Sequence, residues 1–187
     1  MVKKFKNKFR IEPNRLQYWD YSSPGSYFIT INSKGRKHIF GSIHDGIMIL
    51  SKHGKIVENE FYKIENYHLR ASLDVFVIMP DHVHCIITLS EYDKMMDDIT
   101  VIKQNRELSE DEIKQYRRLR RNMILVKILG KFQQQTSKHI NIDRDTPGTS
   151  NWQHDYHDHV IRNNYEYQRI KNYIINNPKK WDEDRLL

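Results

Sequence analysis

Two histidines one residue apart, and a tyrosine followed four residues later by an asparagine, are the side chains best spaced for chemistry. His82 and His84 open an apolar run, 82–89, that is typical of a β-strand. Residues i and i+2 of a strand point to one face, so the two imidazoles should project together while Cys85 faces a core. Such a pair suits a divalent metal ion, although the motif alone also fits two ordinary strand histidines.

The tyrosine and asparagine lie near the carboxyl end of the chain. Tyr173 and Asn177 are four residues apart in a predicted helix and therefore share one helix face. The phenol could act as a nucleophile and the amide oxygen as a metal ligand. The same spacing also fits a half-buried tyrosine on an amphipathic helix with an asparagine cap. Tyr156 is a rival nucleophile, but it lacks both the asparagine four residues later and the proline that follows it.

Two other histidine motifs can be tested at the next positions of the strand. A metallo-hydrolase of the HxHxDH type needs aspartate at 86 and histidine at 87, and a nucleotide hydrolase with alternating histidines needs histidine at 86. Both positions are isoleucine, Ile86 and Ile87. The sequence therefore excludes these two classes of site.

The charge of the chain favours a polyanionic partner. The 187 residues carry 31 Lys and Arg against 24 Asp and Glu, a formal charge of +7 with a pI near 9.3. Nucleic acid is the first expectation for such a surplus and an anionic membrane surface the second, although a solvated basic surface also fits. The basic residues predicted to contact DNA phosphates are Lys3, Lys4, Arg10, Arg36, Lys37, Arg162, Arg169 and Lys179.

The single cysteine, Cys85, excludes an internal disulfide and a cysteine zinc cluster, which fits a reducing cytoplasm. The basic amino terminus is not followed by an apolar run, so no signal peptide is predicted. No stretch approaches the length of a membrane span. We therefore expect a cytoplasmic protein without a membrane partner.

The elements predicted along the chain describe one α+β domain. Strands are expected at 26–32, 38–43, 46–50, 73–79 and 82–89, and a helix is expected from 51 to about 66. A capping box at Ser109 starts a helix that reaches about Gly130, and a further helical piece covers 131–139. The last helix begins at 163 or 164 and stops before Pro178. This order suggests an antiparallel sheet with helices on one face and a helical insertion at 92–131.

Taken together, these motifs resemble a known family. Met79-Pro80-Asp81-His82-Val83-His84, Trp152-Gln153, His159-Val160-Ile161-Arg162 and Tyr173-Ile174-Ile175-Asn176-Asn177-Pro178 are similar to the single-tyrosine HUH transposases. More narrowly, they resemble the IS200-like transposases and their relatives that act on repetitive extragenic palindromes (REP). The likeness covers nearly the whole chain, because the segment from Tyr21 to Thr30 is also typical.

The resemblance implies a ferredoxin-like α+β core and a metal-dependent reaction on single-stranded hairpin or palindromic DNA. His82, His84 and Asn177 would bind Mg²⁺ or Mn²⁺, and Tyr173 would attack the scissile phosphate to leave a 5′-phosphotyrosine link and a free 3′-hydroxyl. His159 would be structural or support the ligands. Members of the family include monomers and homodimers, and in some dimers the tyrosine of one subunit serves the histidines of the other.

Three hypotheses follow for the function. The first is a DNA-nicking and strand-transferring transposase. The second is a catalytically inactive protein of the same fold that still binds nucleic-acid hairpins. The third is a metal-dependent hydrolase of small phosphoesters, which would turn over its substrate without a covalent protein–DNA adduct.

Overall fold

The structure is a computed structural model that describes residues 4–5, 8–9, 19–91 and 109–181. Lys3, Arg10 and positions 92–108 of the expected insertion lie outside the described residues, and the side chain of Lys4 is not described. The strands are β1 (Lys4–Phe5), β2 (Lys8–Phe9), β3 (Gly25–Asn32), β4 (Gly41–His44), β5 (Ile47–Leu50), β6 (Ala71–Ile78), β7 (His82–Leu89) and β8 (His157–Ile161). The helices are α1 (Lys52–Phe61), α2 (Glu110–Arg120), α3 (Ile124–Arg144) and α4 (Asn164–Asn176), with 3-10 turns at Lys34–Arg36, Ile64–Asn66 and Asn177–Lys180.

A four-stranded antiparallel sheet forms the centre of the fold. Its strand order is β6-β7-β3-β8, and α1 and α3 lie in the connections from β3 to β6 and from β7 to β8. This is the ferredoxin-like arrangement, with the first and third strands of the motif in the middle of the sheet. The predicted α+β fold class is therefore confirmed. Two smaller antiparallel pairs, β1-β2 and β4-β5, lie outside this sheet.

The edge strand β8 was missed by the prediction from sequence. Three of its five residues are His157, Asp158 and His159, and strongly polar runs carry little strand signal. It is a strand because it pairs with β3, placing His157 opposite Thr30 and His159 opposite Phe28. Long-range pairing therefore overrides local preference at this edge.

The helices occupy both faces of the sheet. The first face is covered by α1 and α3, whose side chains join a core that includes Ile29, Cys85 and Phe132. The last helix, α4, packs instead against β6 and β7 around a smaller cluster of Ile86, Ile161, Ile170 and Ile174. The expectation that helices share one face therefore holds for α1 and α3, whereas α4 lies on the opposite face.

Helix α3 is continuous through Gly130, where the sequence suggested a division. Glycine costs a helix about 1 kcal/mol relative to alanine. Leu129 and Phe132 on either side are buried in the core, and their burial offsets that cost. Among the described residues, no helix combines the length and apolar character needed to span a membrane.

A β-bulge in β6 helps to fix α4. The register with β7 shifts between Leu73 and Val75, which sends Leu73 to the core of the first face and Val75 to the cluster under α4. The extra residue, Asp74, accepts a hydrogen bond from Lys171 Nζ of α4 at 3.1 Å. Bulges commonly re-aim a side chain in this way, and here the re-aimed carboxylate ties the helix to the sheet.

Candidate active site

The two histidines of β7 lie side by side on the face that α4 covers. His82 Nε2 and His84 Nε2 are 3.0 Å apart, and both residues are buried. Val83 and Cys85, which alternate with them, belong to the core of the opposite face. Period-two alternation along one strand thus separates a polar pair from an apolar core.

Each histidine is held through its other ring nitrogen. His82 Nδ1 is 2.6 Å from Asp81 Oδ1, and His84 Nδ1 is 2.7 Å from Thr30 Oγ1. Thr30 lies directly opposite His84 in the antiparallel pairing of β3 with β7, so the strand register brings the two together. A partner on one ring nitrogen orients an imidazole and leaves the other nitrogen to face the site.

Tyr173 reaches this pair from α4 of the same chain. Its Oη is 3.4 Å from His84 Nε2, and its ring packs edge-on against Phe28 at 6.1 Å between centroids. Phe28 also stacks on His84. The tyrosine side chain is 43% exposed, so solvent and substrate can reach the hydroxyl.

The position of Tyr173 depends on how α4 is anchored. Ile170 and Ile174 face the sheet, and Asn163 caps the helix by accepting a hydrogen bond from the Glu166 N–H at 2.9 Å. The sequence predicted this cap. Because Tyr173 lies three residues after one anchor and directly before the other, it sits at the border between the buried stripe and solvent.

Asn177, the third predicted ligand, ends α4 and begins the 3-10 turn Asn177–Lys180. It is 4% exposed, and its backbone N–H donates to the Ile174 carbonyl. The same turn leads to Trp181, whose ring centroid is 5.9 Å from that of His82. The carboxyl end of α4 and the turn after it therefore border the histidine pair, and Asn177 remains a predicted ligand.

The residues present fit a small divalent ion. Nδ1 of His82 faces a carboxylate and therefore donates to it, which leaves Nε2 as the ring nitrogen that can bind an ion. Two nitrogen ligands at about 2.1 Å from one ion and at right angles lie about 3.0 Å apart. The observed Nε2–Nε2 separation is 3.0 Å. Among the described residues, no cluster of three or more His, Cys, Asp or Glu has metal-binding geometry.

The charge states of the site follow from burial and neighbouring cations. Burial lowers the pKa of His84 well below its ordinary value of 6.5, and His82 and Arg36 add to that effect, so His84 is neutral near pH 7. Burial would raise the pKa of Asp81, but the hydrogen bond from His82 and the charge of Arg36 outweigh it and hold the pKa below 3.8. The site therefore presents a neutral imidazole beside an ionised carboxylate.

The predicted DNA-contacting residues separate into two groups. Arg36 belongs to the site, because its Nε donates to Asp81 Oδ2 at 2.9 Å while half of its side chain stays exposed. The other described members lie on the surface and remain predicted phosphate contacts; they are Lys37, Arg162, Arg169 and Lys179. Arg36 has a left-handed backbone with φ of 55°, and this conformation of the turn at Lys34–Arg36 sets the direction in which its side chain leaves the backbone.

Other candidates from the sequence lie elsewhere. Tyr156 is buried in the core of the opposite face, which separates it from the histidines by the thickness of the sheet. His159 is half exposed and pairs with Glu166 at 2.7 Å, as expected of a structural residue. Cys85 is fully buried, and burial raises the pKa of its thiol.

Sequence reasoning missed Thr30 and Phe28 as parts of the site, and it treated Asp81 only as an added charge next to the metal. The adjacency of Asp81 to His82 was visible in the sequence, but its hydrogen bond to the ring was not. Thr30 and Phe28 alternate with the core residues Tyr27, Ile29 and Ile31, which was the signal that they face the other side. Only the register between β3 and β7 shows that Thr30 lies directly opposite His84.

Known proteins resemble this chain in sequence and in fold. No protein-family model matches it. An uncharacterized protein of Haemophilus influenzae is 30% identical over 172 residues, which cover 92% of this chain and 90% of the relative. Among solved structures, a REP-associated tyrosine transposase bound to a REP hairpin has a TM-score of 0.51 and 20% identity over 89% of this chain and 74% of that chain.

A candidate transposase from Deinococcus radiodurans R1 has a TM-score of 0.42 and 14% identity over 82% of this chain and 91% of that chain. This chain shares the fold of the REP-associated tyrosine transposase, as the resemblance in the sequence motifs predicted.

Proposed function

Since this chain belongs to the same protein family as the Haemophilus influenzae relative, we propose a function from its fold and its site. We propose that it is a single-tyrosine transposase. It would nick and rejoin single-stranded DNA next to a hairpin or palindrome. The hairpin is carried over from the REP-associated structure, which holds one. The basic surplus of the chain supports a nucleic-acid substrate.

The observation that carries the proposal is the meeting of three side chains from distant parts of the sequence. Tyr173 Oη lies 3.4 Å from His84 Nε2, which lies 3.0 Å from His82 Nε2. An exposed phenol beside two oriented imidazoles is suited to attack on a phosphate that the pair helps to hold. Within this chain the tyrosine reaches the histidines of the same subunit, which supports a site built from one chain. That the protein forms a homodimer stays a prediction.

The reaction would proceed by exchange of phosphodiester bonds. Tyr173 Oη attacks the phosphorus, its proton passes to solvent, and the bond from phosphorus to the 3′ oxygen breaks. The 3′ oxygen takes a proton from solvent and leaves as a hydroxyl, while the 5′ end remains on the tyrosine. A 3′-hydroxyl that attacks this link rejoins a strand and releases Tyr173. The bond energy is kept in the intermediate, so no nucleotide cofactor is required.

A divalent ion, Mg²⁺ or Mn²⁺, held by His82, His84 and Asn177 would polarise the scissile phosphate and offset charge that develops on its oxygens. Side chains of this protein would orient the nucleophile and contact the DNA. Phe28 and the sheet-facing isoleucines of α4 orient Tyr173, and Arg36 offers exposed guanidinium donors beside the histidine pair. The surface cations Arg162, Arg169 and Lys179 would contact phosphates farther along the strand.

Covalent trapping tests the proposal directly. The full chain is incubated with a 5′-labelled or 3′-labelled hairpin oligonucleotide and Mn²⁺, and the protein–DNA adduct is resolved on a denaturing gel. The adduct should carry the strand 3′ of the nick, and Tyr173→Phe should abolish it. Tyr165→Phe is the matched control, because Tyr165 lies on the same helix, is 81% exposed and contacts neither histidine in the structure.

The outcomes separate the hypotheses. An adduct that persists in Tyr173→Phe would make the assigned nucleophile wrong. Hairpin binding without any adduct would support the inactive binding protein instead. Turnover of a small phosphodiester without an adduct would support the hydrolase.

A further inference from the structure

We propose that Asp81 and Thr30 are positioning residues that prepare the two histidines in different ways. Asp81 keeps a proton on His82 Nδ1 and so leaves Nε2 as the nitrogen that can bind an ion, whereas His84 offers Nε2 only after the Thr30 hydroxyl turns. The inference rests on the proposed function in one respect, namely that the pair binds a divalent ion.

Asp81 can hold His82 in only one tautomer. An ionised carboxylate accepts hydrogen bonds and donates none, so the 2.6 Å contact requires a proton on His82 Nδ1. The second oxygen, Oδ2, accepts from Arg36 Nε at 2.9 Å, which prevents the carboxylate from turning away. The backbone is fixed as well, because Ser33 N–H donates to the Asp81 carbonyl at 2.8 Å.

Arg36, which holds Asp81, is itself fixed by further contacts. The guanidinium of Arg36 donates to the side-chain oxygen of Asn32, which lies opposite His82 in the strand pairing. The turn that carries it closes through a bond from Arg36 N–H to the Ser33 carbonyl at 3.1 Å. The turn therefore fixes the orientation of the Asp81 carboxylate, and the carboxylate fixes the orientation of the His82 imidazole.

Thr30 is a different kind of partner for His84. A hydroxyl can donate or accept, so the 2.7 Å contact to His84 Nδ1 allows either tautomer. If Thr30 donates, the proton of His84 lies on Nε2 and can be donated to His82 Nε2 at 3.0 Å. If Thr30 accepts, the proton lies on Nδ1 and both Nε2 atoms carry a lone pair.

These two arrangements suit different states of the site. Two lone pairs 3.0 Å apart repel unless a cation lies between them, so the first arrangement is expected for the pair alone. A cation requires the second arrangement, because a metal ligand must offer a lone pair. The change removes the proton from His84 Nε2 and adds one to Nδ1, so the imidazole stays neutral and the proton count is unchanged.

Nitrogen-15 NMR can test the inference without DNA and without activity. Long-range nitrogen–proton correlation spectra of the metal-free chain should show His82 protonated on Nδ1 and His84 protonated on Nε2. Saturating Mg²⁺ should move the His84 proton to Nδ1 and leave that of His82 in place. A His84 that already carries its proton on Nδ1 without metal would overturn the switch.

Substitutions then separate the two positioning residues. Asp81→Ala should weaken Mn²⁺ binding, followed by electron paramagnetic resonance, by about 10- to 100-fold, the range seen when partners of metal-bound histidines are removed. Asp81→Asn keeps an oxygen acceptor and should restore the His82 tautomer and most of the affinity. Thr30→Val should weaken Mn²⁺ binding by about 10-fold, whereas Thr30→Ser should retain it.

A matched control is available on the other side of the molecule. Asp143 forms a carboxylate–imidazole pair with His53 at 2.9 Å, outside the site, so Asp143→Ala should leave the Mn²⁺ affinity unchanged. If Thr30→Val binds Mn²⁺ as tightly as the parent, Thr30 is not a positioning residue. If Asp81→Ala leaves the His82 tautomer unchanged, Asp81 is not one. The expected tautomers without a DNA adduct would instead contradict the proposed function and leave this inference intact.

Discussion

The two faces of the central sheet differ in how completely they are covered. Helices α1 and α3 close the first face around aromatic residues such as Phe61, Phe132 and Trp152. Within the described residues, α4 is the helix that packs on the second face, and beside its small isoleucine cluster lie the histidine pair and Tyr173. On this face the sheet orients the buried histidine pair while Tyr173 stays partly exposed, which a reaction on a large substrate requires.

In the part of the chain that the structure describes, the carboxylates of Glu60 and Asp81 are buried, and their contacts differ in what they connect. Glu60 of α1 is bound by Lys63 at 2.6 Å, by the Tyr67 hydroxyl and by His139 at 3.4 Å, so its contacts join structural elements to one another. Asp81 is bound by Arg36 and His82, so its contacts end at the site. A buried charge with partners is thus structural on the closed face and orienting on the open one.

The largest expected effect on stability comes from the closed face. Phe132 is fully buried against Phe61 and Trp152, with centroid distances of 4.5 and 5.9 Å. Phe132→Ala should lower the free energy of unfolding by about 3 to 5 kcal/mol because it leaves a cavity. Urea unfolding measures the loss, and adduct formation per folded molecule should stay unchanged.

Ile174→Ala is the matching change on the open face. We expect a loss of about 2 kcal/mol, near the lower end for such truncations, because a small cluster can relax around the lost side chain. Its adduct yield should fall, since Ile174 seats the helix that carries Tyr173. A larger stability loss than for Phe132→Ala would contradict the contrast between the faces.

Local patterns were enough to predict the parts of the site that lie within one element. Alternation along β7 places His82 and His84 together, and the structure has their Nε2 atoms 3.0 Å apart. That prediction rests on the period of a single strand, and the fold class rests on the order of strands and helices. The shared face of Tyr173 and Asn177, inferred from helical spacing, stays a prediction.

The contacts between elements could not be predicted in this way. The pairing of Thr30 with His84 depends on the register of β3 and β7, and strand β8 exists only through its pairing with β3. The side of the sheet chosen by α4 depends on tertiary packing and on the bulge at Asp74. Neither register nor packing is encoded in the period of one segment.

Glu60→Gln should have the next largest effect and should depend on pH. The hydrogen bonds from Lys63 and Tyr67 and the charges of Lys63 and His139 outweigh burial and lower the pKa of Glu60 below 4.5. A lowered pKa in the folded state stabilises the protein above pH 4.5, and this contribution is lost as the pH falls through the folded value. At pH 7 the substitution should cost about 1 to 3 kcal/mol.

The measurement is urea unfolding of the parent and Glu60→Gln between pH 7 and pH 3. The two free energies should converge as the pH falls below 4.5, because protonation removes the charge that the substitution removes. A difference that stays constant over this range would show that packing, and not the charge of Glu60, accounts for the cost.

The smallest effect compares the amino-terminal caps of one helix on each face. Asn163 caps α4 with a bond from the Glu166 N–H at 2.9 Å, and Ser51 caps α1 with a bond from the Gly54 N–H at 3.1 Å. Asn163→Ala should cost about 1 kcal/mol in urea unfolding, and Asn163→Asp, which keeps the acceptor, should cost little. Ser51→Ala should cost more, because Ser51 also donates to the Ile39 carbonyl at 2.7 Å on the closed face. If both alanine substitutions lower the free energy of unfolding equally, the bond from Ser51 to the Ile39 carbonyl adds no stability. The helix on the closed face would then be held no more tightly at its amino terminus than α4.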